Sequence, residues 1–236
     1  RIIWGSDKTI SAIRKIETRP RTFDLIFSDR YSFCILDAKA ILLESDKGLE
    51  DLSELFFNDV FLFDQNACSS PHLIYWLGSD EDIRLAKDKF WKTLNITYKK
   101  KIKDQPIINS LEKYKYLCKV AAELEEVKAC IREDNNIYRL KINKLEKGIE
   151  NHRGKYGFFF EFSHKNLLPL KDVINSKFQT LTYYGIEKEN LYDFIIKNRL
   201  EGIDRIVPVG KALNMELIWD GYDIITSLSR IVSHSF

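Results

Sequence analysis

The sequence contains no run of eighteen apolar residues, so no membrane-spanning helix is expected, and no signal peptide is visible. Four cysteines, Cys34, Cys68, Cys118 and Cys130, form no CxxC pair, and no His/Cys cluster has metal-ligand spacing. No metal site is therefore expected, and the thiols read as reduced, which points to the cytoplasm. The formal net charge is only +2, which argues against a nucleic-acid surface and against an acidic tail. Gly5 and Gly48 stand alone, so no glycine-rich dinucleotide fingerprint is present. There is no internal repeat and no low-complexity linker.

What the chain does have is apolar content arranged in alternating elements. Hydrophobic residues make up 44% of 236 positions and aromatics 13%, enough to build a core in one large domain or two small ones. Strands are expected at 1–4, 23–27, 32–36, 73–77, 137–143, 157–162, 178–184, 203–207 and 215–219. Helices are expected from Ser6 or Asp7 to Ile16 and over much of 38–63, with a break near Asp46-Lys47-Gly48. Others are expected over 79–98, 109–132, 168–177, 187–200 and 223–231. The 109–132 helix would carry Tyr114, Leu117, Cys118, Ala121, Leu124 and Val127 on its apolar side, with Cys118 and Cys130 inert. This alternation is the α/β pattern, a central sheet flanked by helices.

One polar turn stands out. Leu49, Leu52, Phe56 and Val60 form an apolar stripe that delivers Asp64-Gln65-Asn66-Ala67-Cys68-Ser69-Ser70-Pro71 just before the run Leu73–Leu77. Cys68 thus sits in a helix-to-strand loop held by rigid elements, where reactive groups tend to lie. Asp64, Gln65 and Asn66 can hydrogen-bond the loop backbone, and Pro71 keeps Ser70 extended. Two readings of Cys68 follow: a nucleophile with its own N–H as oxyanion donor, or a small buried apolar residue. His72 reads as the start of a strand rather than as a base. Lys99-Lys100-Lys101 with Lys103 reads either as a basic cluster for phosphates or as a solvated helix end.

The Asp64–Pro71 stretch resembles the nucleophile segment of the acyl-CoA reductase family, which includes the fatty-acid reductase subunit of bacterial bioluminescence and belongs to the aldehyde dehydrogenase superfamily. Gly202-Ile203-Asp204-Arg205-Ile206-Val207-Pro208-Val209-Gly210-Lys211-Ala212 and Trp219-Asp220-Gly221-Tyr222-Asp223 resemble that family's closing segment. Trp4-Gly5-Ser6-Asp7 and Gln179–Gly185 fall in the matching order.

The resemblance implies a catalytic domain of the aldehyde dehydrogenase type. Residues 1–20 would be the tail of a cofactor domain largely absent here, 21–205 the nucleophile-bearing domain, and 206–236 a closing segment near the pocket. It implies a long-chain acyl thioester, on coenzyme A or a carrier, reduced to a fatty aldehyde by NADPH through an acyl-enzyme on Cys68. Gly5 and Ser6 would approach the cofactor, which an upstream domain would mainly hold, so this chain alone should bind it weakly. Arg205, Lys211, Trp219 and Asp220 would lie near the pocket. Asp204-Arg205 reads equally as an ion pair. Leu25 falls at or next to the glutamate that activates water in aldehyde-oxidising members, which favours reduction over hydrolysis. The competing readings are a cysteine acyltransferase or thioesterase and a non-catalytic interaction subunit. A homo-oligomer is left open.

Overall fold

The computed structural model describes residues 1–233; the last three residues of the expected closing segment 206–236 lie outside them. Seven strands form the main sheet in the order β5-β6-β7-β4-β3-β8-β9. They are β3 (Tyr31–Asp37), β4 (Pro71–Leu77), β5 (Val127–Glu133), β6 (Ile137–Ile142), β7 (Phe158–His164), β8 (Phe178–Tyr184) and β9 (Arg205–Pro208). All neighbours run parallel except β5, which pairs antiparallel with β6. Two small sheets stand apart. β1 (Ile2–Trp4) pairs in parallel with β2 (Leu25–Phe27), and β10 (Ile218–Trp219) forms a hairpin with β11 (Tyr222–Asp223).

The central strands are apolar on both sides because both faces of the sheet are covered. Cys34, Leu36, Ile74, Trp76 and Phe159 point to one core, under α2 (Ala38–Leu43), α3 (Asp46–Phe61) and α4 (Asp80–Lys101). Phe33, Ile35, Leu73, Tyr75, Phe158 and Phe160 point to the other, under α5 (Ile107–Glu123) and α6 (Lys188–Lys197). The aromatics of β7 thus belong to a doubly covered sheet. Glu161 of β7 is buried among them, and its carboxylate accepts from Trp76 and Trp91 Nε1, each at 2.8 Å.

Ser6, Ser45 and Ser79 cap α1 (Asp7–Arg14), α3 and α4 through their side-chain oxygens. The break before α3 therefore falls at Glu44-Ser45, and Gly48 lies inside the helix rather than interrupting it. β1 is buried on one side alone: Ile3 is inside, whereas Ile2 and Trp4 are exposed. The expected 109–132 helix ends at Glu123, and Val127–Glu133 is the edge strand β5, so Cys130 lies on a strand. Lys113 and Val120 are the buried residues of α5, while Tyr114 and Cys118 face solvent. The expected helix over 168–177 is a 3-10 turn, Leu168–Asp172. The last helix, α7, is short, Ile224–Leu228. No helix among the described residues is long and apolar enough to cross a membrane.

Candidate active site

The Cys68 loop is built from the end of α3 downward. Asp64 and Gln65 both take left-handed backbone conformations, with φ of 51° and 61°, which stop the helix and turn the chain back. The Gln65 N–H donates to Val60 O at 2.7 Å. The buried Gln65 side chain then ties three segments together. Its Nε2 donates to Pro71 O (2.9 Å) and Phe158 O (3.0 Å), and its Oε1 accepts from the N–H groups of Gly157 and Phe158, both at 3.0 Å. All four amide positions that the side chain offers are used, so the loop is fixed to β4 and β7. Gly157 is required here: its φ is +86°, and a Cβ would come within 2.7 Å of Asn136 O.

The far side of the loop is held as firmly. Ser32 Oγ donates to Cys68 O at 2.7 Å, and Ser70 Oγ donates to Asp59 O at 2.7 Å. Asp59, on α3, accepts from the N–H groups of Gly210 (2.6 Å) and Ala212 (2.9 Å), which seats the 209–214 loop against the helix. Burial pushes the Asp59 carboxyl up to about 6 despite these two bonds. Arg205 donates to the carbonyls of Ala212 (3.0 Å) and Asn214 (2.8 Å), and its guanidinium lies 4.3 Å over the Trp219 ring. Among the described residues it makes no ion pair with Asp204; its donors are spent on the closing loop.

Cys68 opens into a cavity of about 440 Å³. Phe63, Leu213, Met215 and Trp219 give it an apolar wall, Trp4, Gly5 and Ser6 close another side, and Asn66, Asp29 and Arg153 add polarity. The thiol is half-buried. Burial raises its pKa first and the Asp220 charge second, while Arg153 and the backbone N–H groups of Cys68 and Ser69 favour the thiolate. Burial and Asp220 thus disfavour the thiolate, while Arg153 and the two N–H groups oppose them.

Of the residues singled out from sequence, Cys68, Asn66, Gly5, Ser6 and Trp219 line this cavity. Gln65 and Pro71 stand behind the loop, and Asp64 supplies its carbonyl to Tyr156 N–H at 3.1 Å. Arg205 and Asp220 lie behind Trp219, both buried, and the Lys211 side chain faces solvent. Leu25 packs with Phe27 and Trp219 behind the cavity wall and does not line it. His72 is buried, stacked on Tyr31 with ring centroids 5.6 Å apart, and its pKa is held well below the usual range by desolvation and by Arg153. Its neutral Nε2 accepts from Arg153 Nε at 3.4 Å. Of the lysines at or just past the end of α4, Lys99, Lys100 and Lys101 pair with Asp134, Glu50 and Glu54, and only Lys103 has no carboxylate partner among the described residues.

Sequence reasoning missed Arg153, Asp59 and Asp29. Asp59 left a signal, a carboxylate inside the apolar stripe of α3. Arg153 and Asp29 left none, since both sit in turns without periodicity. Among the described residues no group of His, Cys, Asp and Glu could hold a metal ion.

The Cys68 loop lies between a helix and a buried parallel strand of a mostly parallel α/β sheet, and this fold is shared by solved structures of aldehyde dehydrogenases. Lactaldehyde dehydrogenase from Escherichia coli superposes with a TM-score of 0.56 at 12% identity, over 91% of this chain and 46% of that one. A putative methylmalonate-semialdehyde dehydrogenase from Sinorhizobium meliloti gives 0.57 at 10%, over 87% and 44%. The Staphylococcus aureus AldH gives 0.55 at 10%, over 86% and 45%. The chain spans less than half the length of these structures. A family model described as acyl-CoA reductase (LuxC) matches residues 1–232, and the chain belongs to that family. No curated protein matches the sequence.

Proposed function

We propose that Cys68 takes an acyl group from a long-chain acyl thioester, on coenzyme A or a carrier, and that the bound acyl group is then reduced to the fatty aldehyde. The observation that carries this reading is the position of Cys68: a half-buried thiol at the wall of a largely apolar cavity, where Arg153 and the backbone N–H groups of Cys68 and Ser69 favour its thiolate. The thiolate attacks the thioester carbonyl, the N–H groups of Cys68 and Ser69 hold the developing oxyanion, and the carrier thiol leaves. The apolar wall of Phe63, Leu213, Met215 and Trp219 suits an alkyl chain. A nicotinamide cofactor, NADPH in this reading, supplies hydride when bound. Gly5 and Ser6 line the same cavity and fit its nicotinamide end; no glycine-rich turn for its phosphates occurs in this sequence.

A second reading, hydrolysis of the acyl-enzyme, is favoured by one observation: Asp29 lines the cavity and could activate water. Its carboxylate lies 3.8 Å from Arg153 Nη1, so the same side chain that faces the Cys68 thiol also holds Asp29. The experiment treats the chain, Cys68→Ala and Asp29→Asn with a long-chain acyl-CoA, followed by intact-mass and peptide mapping. Label on Cys68 alone, lost in Cys68→Ala, and an acyl-enzyme lifetime unchanged by Asp29→Asn are expected. Label on Cys34, Cys118 or Cys130 would refute the nucleophile, and a much longer lifetime in Asp29→Asn would favour hydrolysis.

A further inference from the structure

Next to the Cys68 cavity lies a second one of about 270 Å³. Lys113 and Tyr116 of α5 form one wall, and Arg153, Lys155 and Tyr156 form the other. Arg153 lines both cavities, so they meet at its side chain. Three cations face this space against one carboxylate, Glu112, which has Lys115 at 3.8 Å on its own helix. The donors are unequal in their commitments. Lys113, only 1% exposed, gives its ammonium to the carbonyls of Asn135 and Asn136, and lies 5.1 Å over the Tyr138 ring. Lys155 has no carboxylate partner among the described residues. The Tyr116 hydroxyl is buried and has no hydrogen-bond partner among them.

A buried hydroxyl without an acceptor is unfavourable, and the three cations outnumber the carboxylates near them, Glu112 in the lining and Asp29 at 3.8 Å from Arg153 on its other side. Both costs disappear when an oxyanion with several acceptor oxygens enters. Phosphate suits the set well: a planar guanidinium fork, two ammonium groups and a phenol are all donors. We propose that this second cavity is a phosphate subsite, which takes the phosphate of the phosphopantetheine arm while the thioester lies at Cys68. This rests on the acyl-transfer reading above. Coenzyme A and carrier proteins share that phosphate, so the subsite serves either donor. Burial lowers the Lys113 ammonium to about 7. The charges around it are Glu112 on its own helix and Arg153 and Lys155 across the cavity, with the Tyr116 and Tyr138 phenols beside it. An arriving phosphate therefore favours the protonated lysine, and binding strengthens as pH falls through neutrality.

The test measures binding of 4′-phosphopantetheine and of pantetheine to the chain by calorimetry, then Cys68 acylation by acyl-CoA and by an acyl-N-acetylcysteamine thioester, which lacks the phosphate. The wild-type chain is expected to bind the phosphorylated arm about tenfold or more tightly than the plain one, as for one charge-assisted contact. Lys155→Ala and Tyr116→Phe, neither in the Cys68 cavity, are expected to erase that preference. They should slow acylation by acyl-CoA about tenfold and leave the acyl-N-acetylcysteamine rate unchanged. Equal binding of the two arms, or a preference that survives both variants, overturns the subsite. Tighter binding of adenosine 2′-phosphate than of phosphopantetheine overturns it in favour of a nucleotide. A failure of every donor to acylate Cys68 defeats the acyl-transfer reading instead, and the binding measurements still decide the subsite.

Discussion

Asp220 shows how burial at a single residue couples stability to the chemistry of the cysteine. Its backbone is left-handed, with φ of 50°, at the tip of the β10–β11 hairpin. The side chain is 5% exposed, and neither carboxylate oxygen has a partner among the described residues. Burial pushes its pKa up to about 6, with Asp204 adding to the rise and Arg30 and Arg205 opposing it. A carboxyl raised in this way holds its proton in the folded chain between about pH 4 and 6, where the unfolded chain has released it. The stability this provides is complete below about pH 4 and is lost as pH rises through 6. Two pKa units correspond to about 3 kcal/mol. Asp220→Asn is therefore expected to raise the unfolding free energy above pH 6 by about 2–3 kcal/mol and to change little at pH 4, read from urea melts at the two pH values. Because the Asp220 charge also raises the Cys68 thiol, the same variant should be alkylated faster at Cys68 at pH 7. Slower alkylation, or an equal stability gain at both pH values, would show that the charge does not act this way.

At the scale of elements, the loop between α3 and β4 is organised by Gln65 more than by any residue that touches the cavity. Removing its side chain leaves the N–H groups of Gly157 and Phe158 and the carbonyls of Pro71 and Phe158 without partners in a buried place. Each such group costs about 1–3 kcal/mol when nothing replaces the bond. Gln65→Ala is expected to lose at least about 3 kcal/mol in denaturant unfolding and to lose selective labelling of Cys68. Asn66→Ala, at an exposed neighbour that bonds only Phe63 O and Asp64 O, should cost less than about 1 kcal/mol. Equal effects of the two would mean that the loop is held elsewhere. The sequence made this loop legible because the stripe of α3 and the apolar run of β4 are each periodic and strong. It did not make β5 legible. Val127–Glu133 is an edge strand with mostly solvent-facing side chains, so its apolar residues carry on the pattern of α5 well enough to hide the boundary. The face of α5 was hidden for a different reason, since its most buried side chain apart from Val120 is a lysine. Arg153 reaches the cavity only because β7 lies beside β4 in the folded sheet, a pairing that no local pattern announces.

Across the whole molecule, stability is unevenly shared, and the cavity lies where it is thinnest. The main sheet is sealed by helices on both faces, whereas the β10–β11 hairpin has two paired rungs and the β1–β2 ribbon has three. These two small sheets meet at a small cluster of Leu25, Phe27 and Trp219, with Tyr222 and Ile224 packed alongside. Amides there should exchange from low-energy openings, and those of β4 and β7 from openings near the global limit. The same thin region carries the exposed apolar groups of the cavity mouth: Trp4 is 60% exposed, Phe63 61% and Met215 71%. An alkyl chain attached to Cys68 would cover them, and each Å² of apolar surface removed from water contributes about 25 cal/mol. That gain exists only while the mouth is closed around the chain, so it stabilises the closed state. Long-chain acylation is thus expected to slow exchange about tenfold or more in peptides covering 1–6 and 213–223, with β4 and β7 unchanged. Acetylation of Cys68 forms the same bond without the chain and should leave all of these rates alone. Protection that follows acetylation equally, or that appears at the β5 edge instead, would mean that the chain does not lie along Trp4, Phe63 and Met215.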